Sequence, residues 1–127
     1  MTNKDQDDDG QLSEFNLITS KTREQLNQRQ LLDYRHHREQ FTKWMINLGK
    51  DPGKAKGYAD QTTNKRLYRL DKFYRWHWNQ NNGYTLEVTT DDADQFVKEM
   101  AVEDYSNSYK AAQIKSLKSL FKYLNWK

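Results

Sequence analysis

Between Tyr105 and Lys127 the chain carries five lysines and no acidic residue, and its apolar residues return at intervals of three and four. A half-buried strand needs them at every second position, so this spacing belongs to a helix with one packed face. On a helical wheel Ile114, Leu117, Leu120, Phe121 and Leu124 fall within one third of the circumference. Lys115, Lys118 and Lys122 form a neighbouring stripe, free to meet an anion. The preceding segment, Glu87 to Asp104, has seven acidic residues and one lysine, so charge is sorted by helix rather than mixed over the surface.

Three further helices are expected upstream. The first spans about Asn27 to Leu48, where Tyr34, His37, Phe41, Trp44, Met45 and Leu48 recur at helical spacing and Gly49 supplies a stop. Both Thr22-x-x-Gln25 and Asn27-x-x-Gln30 have the form of a capping box at its start. Lys50 to Asp60, with Pro52, Gly53 and Gly57, reads as a loop. The second helix, about Thr62 to Asn81, places Thr63, Leu67, Leu70, Tyr74 and His77 on one face with Phe73 beside them. Its other face carries Lys65, Arg69 and Lys72 in a stripe, and with Arg66 and Arg75 it has five cations against one acid, Asp71. After Asn82-Gly83 the alternation Tyr84 to Val88 has no partner strand before it, so an extended connection is expected. The third helix opens at Thr89 or Thr90, with Asp91 and Asp92 at the positive end of the helix dipole, and buries Ala93, Phe96, Val97 and Met100. Ser106 or Ser108 caps the fourth. The expected fold is an all-α, four-helix bundle.

At 127 residues this is one domain. MTNKDQDDDG is polar, acidic and without apolar periodicity, and residues 1–20 read as a disordered acidic tail ahead of a domain at 21–127. Without those first ten residues 20 basic and 14 acidic residues remain, a net charge of +6, which favours a polyanionic partner. The absence of cysteine excludes disulfides, thiolate metal sites and cysteine nucleophiles. No apolar run approaches a membrane span and no signal-peptide stretch opens the sequence, so a cytoplasmic, nucleoid-associated protein without membrane contact is expected.

Catalytic and cofactor motifs fail on spacing. Gly49 to Lys54 nearly spells a phosphate-binding loop, but one spacer is missing and Ala55 stands where a magnesium-binding hydroxyl belongs. His36 and His37 point about 100° apart on a helix and no i, i+4 histidine pair exists, so no metal is expected. Asp91, Asp92 and Asp94 are read as first-turn dipole and solubility groups. No cofactor is expected. Two basic helices flanking an acidic one suit duplex DNA, whose phosphates exchange condensed counterions for lysine and arginine and whose major groove admits a helix. The candidate phosphate-binding residues are Lys65, Arg66, Arg69, Lys72 and Arg75 on the second helix and Lys110, Lys115, Lys118 and Lys122 on the fourth. Asn64 and Gln113 are candidates for base edges, because carboxamides pair bidentately with adenine.

Three segments together resemble the core-binding domain of the tyrosine recombinases, the phage-integrase family. TTNKRLYRLDKFYRW resembles its opening helix signature through Thr62 or Thr63, Tyr68, Leu70-Asp71, Phe73 and Trp76, with Leu70-Asp71 inverted from the commoner order. VTTDDADQFVKEMA resembles its T-x-x-D-x-x-x-F helix through Thr89, Asp92 and Phe96. SNSYKAAQIKSLKSLFKYL resembles its last helix through Leu117, Lys118, Leu120, Phe121, Tyr123 and Leu124, with lysine for the usual arginine. The match runs from about Tyr58 to Trp126, and Tyr34 to Pro52 is compatible with the preceding helix of archaeal-type members. The resemblance implies a SAM-like bundle of the lambda-integrase type, one jaw of a clamp on duplex DNA, with the second and fourth helices at the major groove. It implies as partners a recombination site and other recombinase protomers in a synaptic complex. Family catalysis uses a tyrosine, two arginines, a lysine and a His-x-x-Arg box in a second domain; no histidine here has arginine three residues later, so a non-catalytic fragment is expected. A stand-alone accessory factor and a protein-interaction bundle are the alternatives.

Overall fold

A computed structural model of the chain describes Leu12 and residues 15–127. These form five α-helices: α1 (Ser20–Gln25), α2 (Gln28–Asn47), α3 (Asp60–Gln80), α4 (Thr90–Ala101) and α5 (Asn107–Trp126). Among the described residues there is no strand beyond an isolated bridge between Asp51 and Lys56, next to a 3-10 turn at Pro52–Lys54. The domain is all-α, as expected, with α1 as an additional short helix.

Local chemistry sets the helix ends. Of the two candidate boxes, Asn27 and Gln30 form the reciprocal one at α2: the Asn27 side chain accepts from the Gln30 N–H at 2.9 Å, and the Gln30 side chain accepts from the Asn27 N–H at 3.0 Å. Thr89 and Asp92 do the same at α4, and Ser106 accepts from the Tyr109 N–H to open α5. α2 stops where Gly49 comes so close to the helix that a Cβ would lie 2.8 Å from the Met45 carbonyl oxygen. α3 stops before Asn82, which takes a left-handed φ of 58°.

α3 is the hub. Leu67, Leu70, Phe73, Tyr74 and Trp78 are buried along it, against Tyr34, Phe41 and Met45 of α2, Phe96 of α4, and Leu117 and Leu120 of α5. Ring edges meet ring faces at Tyr34 and Trp78 (5.1 Å) and at Phe73 and Phe96 (5.3 Å), an arrangement that adds about 0.5–1.5 kcal/mol per pair beyond area burial.

Two expectations need correction. The packed domain begins before Lys21: Leu12, Phe15, Leu17 and Ile18 are buried, the Leu17 carbonyl accepts from Arg38 Nε at 2.8 Å, and the Thr19 N–H donates to Asp71 at 2.7 Å. Only the part of the expected tail at residues 1–11, 13 and 14 lies outside the described residues. The buried face of α5 is also rotated. Gln113, Ser116, Leu117, Ser119, Leu120 and Tyr123 are buried, while Ile114, Phe121 and Leu124 are only half-buried. Small serines on the inner face let the α5 backbone approach α3, which hydrophobicity alone does not reveal.

Candidate nucleic-acid interface

The basic residues of α3 and α5 belong to one pair of helices held antiparallel by side-chain contacts. Arg66 donates to Ser119 Oγ at 2.6 Å, and Lys72 Nζ donates to the Tyr109 hydroxyl at 3.0 Å, so rising number on α3 meets falling number on α5. Lys65 and Arg69 flank Arg66 on α3; Lys115 and Lys122 flank Ser119 on α5 at the i−4 and i+3 positions. Both lysine-bearing stripes therefore border the same seam.

The nine candidates divide into two groups. Lys65, Arg69, Lys115 and Lys118 are exposed or half-exposed, and their side chains make no hydrogen bond or ion pair among the described residues. The other five have work within the fold. Arg66 also lies over the Tyr58 ring, 4.2 Å from its centroid. Lys72 donates to the Tyr105 and Tyr109 hydroxyls at 2.7 and 3.0 Å and sits 4.5 Å from the Tyr105 centroid. Partial burial would lower the Lys72 pKa, but the hydrogen bonds to the two tyrosines outweigh it and leave the ammonium above its ordinary value. Arg75 donates to Thr19 and Thr22 and faces Asp71 at 3.9 Å. Lys110 holds the Ala101 carbonyl at 3.0 Å, and Lys122 holds that of Gly49 at 3.3 Å. Lys72 and Arg75 thus also have a packing role: Lys72 meets the Tyr105 and Tyr109 hydroxyls, and Arg75 meets the buried Thr22 hydroxyl and the buried Asp71 carboxylate.

Gln113 is corrected outright as a base-reading residue. It is 1% exposed, and its carboxamide nitrogen is buried without a hydrogen-bond partner among the described residues. Asn64 stays at the surface, where its Oδ1 accepts from the Asn16 N–H at 3.2 Å. The residue the stripe reading passed over is Tyr68. It is 65% exposed between Lys65 and Arg69, and with Asn16 and Asn64 these residues line a depression of about 330 Å³. Its position at i+3 from Lys65 was legible as a signal; an exposed aromatic ring among cations offers a stacking surface to a base or sugar.

His37 and His77 serve the core, while His36 is exposed. Burial, then the charges of Arg38 and Lys127, pull His37 down from 6.5 to about 3, and its Nε2 pairs with the Tyr74 hydroxyl at 2.9 Å. His77 Nε2 meets the Glu87 carbonyl at 2.7 Å. Asp92 is engaged in the α4 cap, and no group of three or more potential metal ligands occurs among the described residues. The carboxylates of Asp91, Asp94 and Glu99 on α4 are exposed, as is that of Glu103 just beyond it; Trp76 of α3 donates to Glu99 at 3.0 Å, and Glu99 and Glu103 line a cleft with Lys72. No described helix is long and apolar enough to cross a membrane.

The described residues define an all-α helical domain with exposed cations on α3 and α5 and an acidic α4. No family model matches the chain, and searches of curated proteins and of solved structures find no significant match.

Proposed function

We propose that this chain is a non-catalytic module that binds duplex DNA through the α3–α5 face, in the manner of the SAM-like core-binding jaw of a tyrosine recombinase. The observation that carries the proposal is the set of cations on α3 and α5 that are exposed or half-exposed and unengaged among the described residues, Lys65, Arg69, Lys115 and Lys118, while α4 between them carries Asp91, Asp92, Asp94 and Glu99. Unengaged cations are the ones that release counterions on meeting phosphate, because a cation already bonded inside the fold must first give up its partner. In this role the module would grip one half-site, alongside other protomers, for a catalytic domain elsewhere to act on; it would be nucleoid-associated.

The test is fluorescence anisotropy with a labelled duplex over a salt series. Four phosphate contacts give a log–log slope near −4 (about 0.9 per contact) and non-specific affinity around the micromolar range or weaker. A flat salt response, or no binding at low salt, refutes the reading.

A second reading, a protein-interaction bundle, rests on a different observation. Trp76, Phe96, Met100 and Tyr105 line a small cleft rimmed by Glu99 and Glu103, beside an exposed Val102. Self-association that persists under excess duplex DNA would favour it.

A further inference from the structure

The loop from Gly49 to Tyr58 is secured at both ends by cations of the proposed DNA face. At one end Lys122 of α5 donates to the Gly49 carbonyl at 3.3 Å; at the other Arg66 of α3 covers the Tyr58 ring at 4.2 Å. The loop is also pressed onto α2. The Tyr58 N–H donates to the Met45 carbonyl at 2.9 Å, and a Cβ on Gly57 would fall 1.9 Å from the Ile46 carbonyl oxygen, a clash that only glycine escapes.

Inside the loop the backbone is closed on itself. Asp51 and Lys56 pair across it: the N–H groups of Asp51 and Lys56 each donate to the other's carbonyl at 3.0 Å. The Asp51 side chain accepts from the Lys54 N–H at 3.3 Å, and Ala55 takes a left-handed φ of 53° that completes the turn. What this frame presents outward is Lys50, Lys54 and Lys56, all exposed and with side chains unengaged among the described residues. The one acid within the loop, Asp51, is occupied by the turn.

We infer that the Lys50–Lys56 hairpin is a third, pre-shaped phosphate-contacting element, held beside the helices by Arg66 and Lys122. The inference rests on the DNA-binding reading above and extends it. Two cations that look like phosphate ligands in the sequence act instead as positioning residues, and they place three lysines of a loop whose spacing falls short of a phosphate-binding motif. The geometry differs from a phosphate-binding loop because no run of backbone N–H groups points outward; contact is by ammonium groups on a rigid frame, so it carries no nucleotide specificity.

The experiment measures anisotropy of a fluorescein-labelled, random-sequence duplex of two helical turns across a potassium chloride series. With the hairpin added to the four helical contacts the slope of the unmodified chain should steepen to about −6; Lys50→Ala/Lys54→Ala/Lys56→Ala should make it less negative by about 2–3, at about 0.9 per lysine, with the far-UV circular dichroism and thermal midpoint of the unmodified chain. A control with the same change in net charge on α1 and the start of α2, Lys21→Ala/Arg23→Ala/Arg29→Ala, should move the slope by less than about one. Equal effects of the two triples would overturn the inference, since net charge alone would then suffice. Asp51→Ala supplies an independent arm. Simple electrostatics predicts tighter binding on loss of an acid, whereas loss of the pre-shaped turn predicts weaker binding; tighter binding overturns the claim. If the triple loop variant binds as the unmodified chain does, the hairpin has no role while the helical face stands. If the unmodified chain shows no salt-dependent binding, the DNA reading itself falls and takes the hairpin with it.

Discussion

Asp71→Asn removes a single buried charge and little else. The carboxylate has no exposure; Oδ2 accepts from the Thr19 N–H at 2.7 Å and from Thr22 Oγ1 at 2.8 Å, and Oδ1 accepts from the Tyr34 hydroxyl. Arg38 Nη2 lies 3.6 Å from Oδ1 with a side chain 1% exposed, and Arg75 Nη1 lies 3.9 Å from Oδ2 with one 18% exposed. Burial and, next, the Asp71 carboxylate hold the Tyr34 phenol well above its usual pKa, partly opposed by Arg38, so Tyr34 remains a donor at any working pH. Asparagine keeps the shape, and its oxygen can still accept from Thr19 and Thr22, but its nitrogen facing Tyr34 and Arg38 no longer accepts from the Tyr34 hydroxyl. It also leaves Arg38 as a buried cation without a counter-ion. Breaking a buried pair in this way costs about 3–5 kcal/mol, a large fraction of the roughly 5–15 kcal/mol available to a domain of this kind. At about 4 °C per kcal/mol the thermal midpoint should fall by roughly 12–20 °C. Urea unfolding followed by tryptophan fluorescence and far-UV circular dichroism measures the loss, and hydrogen exchange should show the Thr19–Thr22 amides opening first. Arg75→Gln gives the contrast: its partly exposed guanidinium is replaceable by water, and about 1 kcal/mol or less should be lost. A loss below about 1 kcal/mol for Asp71→Asn, or no more than for Arg75→Gln, would refute the assignment of Asp71 as the anchor of the N-terminal segment.

Arg69→Glu with Lys118→Glu should abolish duplex binding in anisotropy while changing stability by no more than about 0.5 kcal/mol, since neither side chain has a partner among the described residues. Lys72→Ala should do the opposite: a measurable loss of stability in urea unfolding, as the Tyr105 and Tyr109 hydroxyls lose their donor, with a salt slope close to that of the unmodified chain. Leu70→Ala and Leu120→Ala should each cost about 2–5 kcal/mol by leaving a cavity, and Phe121→Ala less than either because its ring is only half-buried. His37, lowered in the folded state to about 3 from 6.5, binds its proton more readily when unfolded; its contribution is fully present above pH 6.5 and is lost as pH falls towards 3, at up to about 1.4 kcal/mol per pH unit. His37→Gln should flatten the fall of the thermal midpoint across that window.

What was legible in the sequence was whatever is governed by neighbours a turn apart. Apolar spacing located the four long helices, and short-range donors and acceptors narrowed three of their starts to two candidates each, of which the structure uses Asn27 with Gln30, Thr89 with Asp92, and Ser106 with Tyr109. The sorting of charge between α4 and its neighbours was equally open to view. The fate of each cation was not, because a stripe on a wheel says only which direction a side chain leaves its own helix. Arg66, Lys72 and Arg75 look like Lys65 and Arg69 until α5, the α4–α5 connection and the segment around Thr19 arrive to meet them. Nor could periodicity show that Gln113 is buried, or that Leu17 and Ile18 belong to the core. Those outcomes depend on how closely α5 approaches α3 and on a buried carboxylate more than fifty residues from the backbone amide it holds, relations that exist only once the helices have packed.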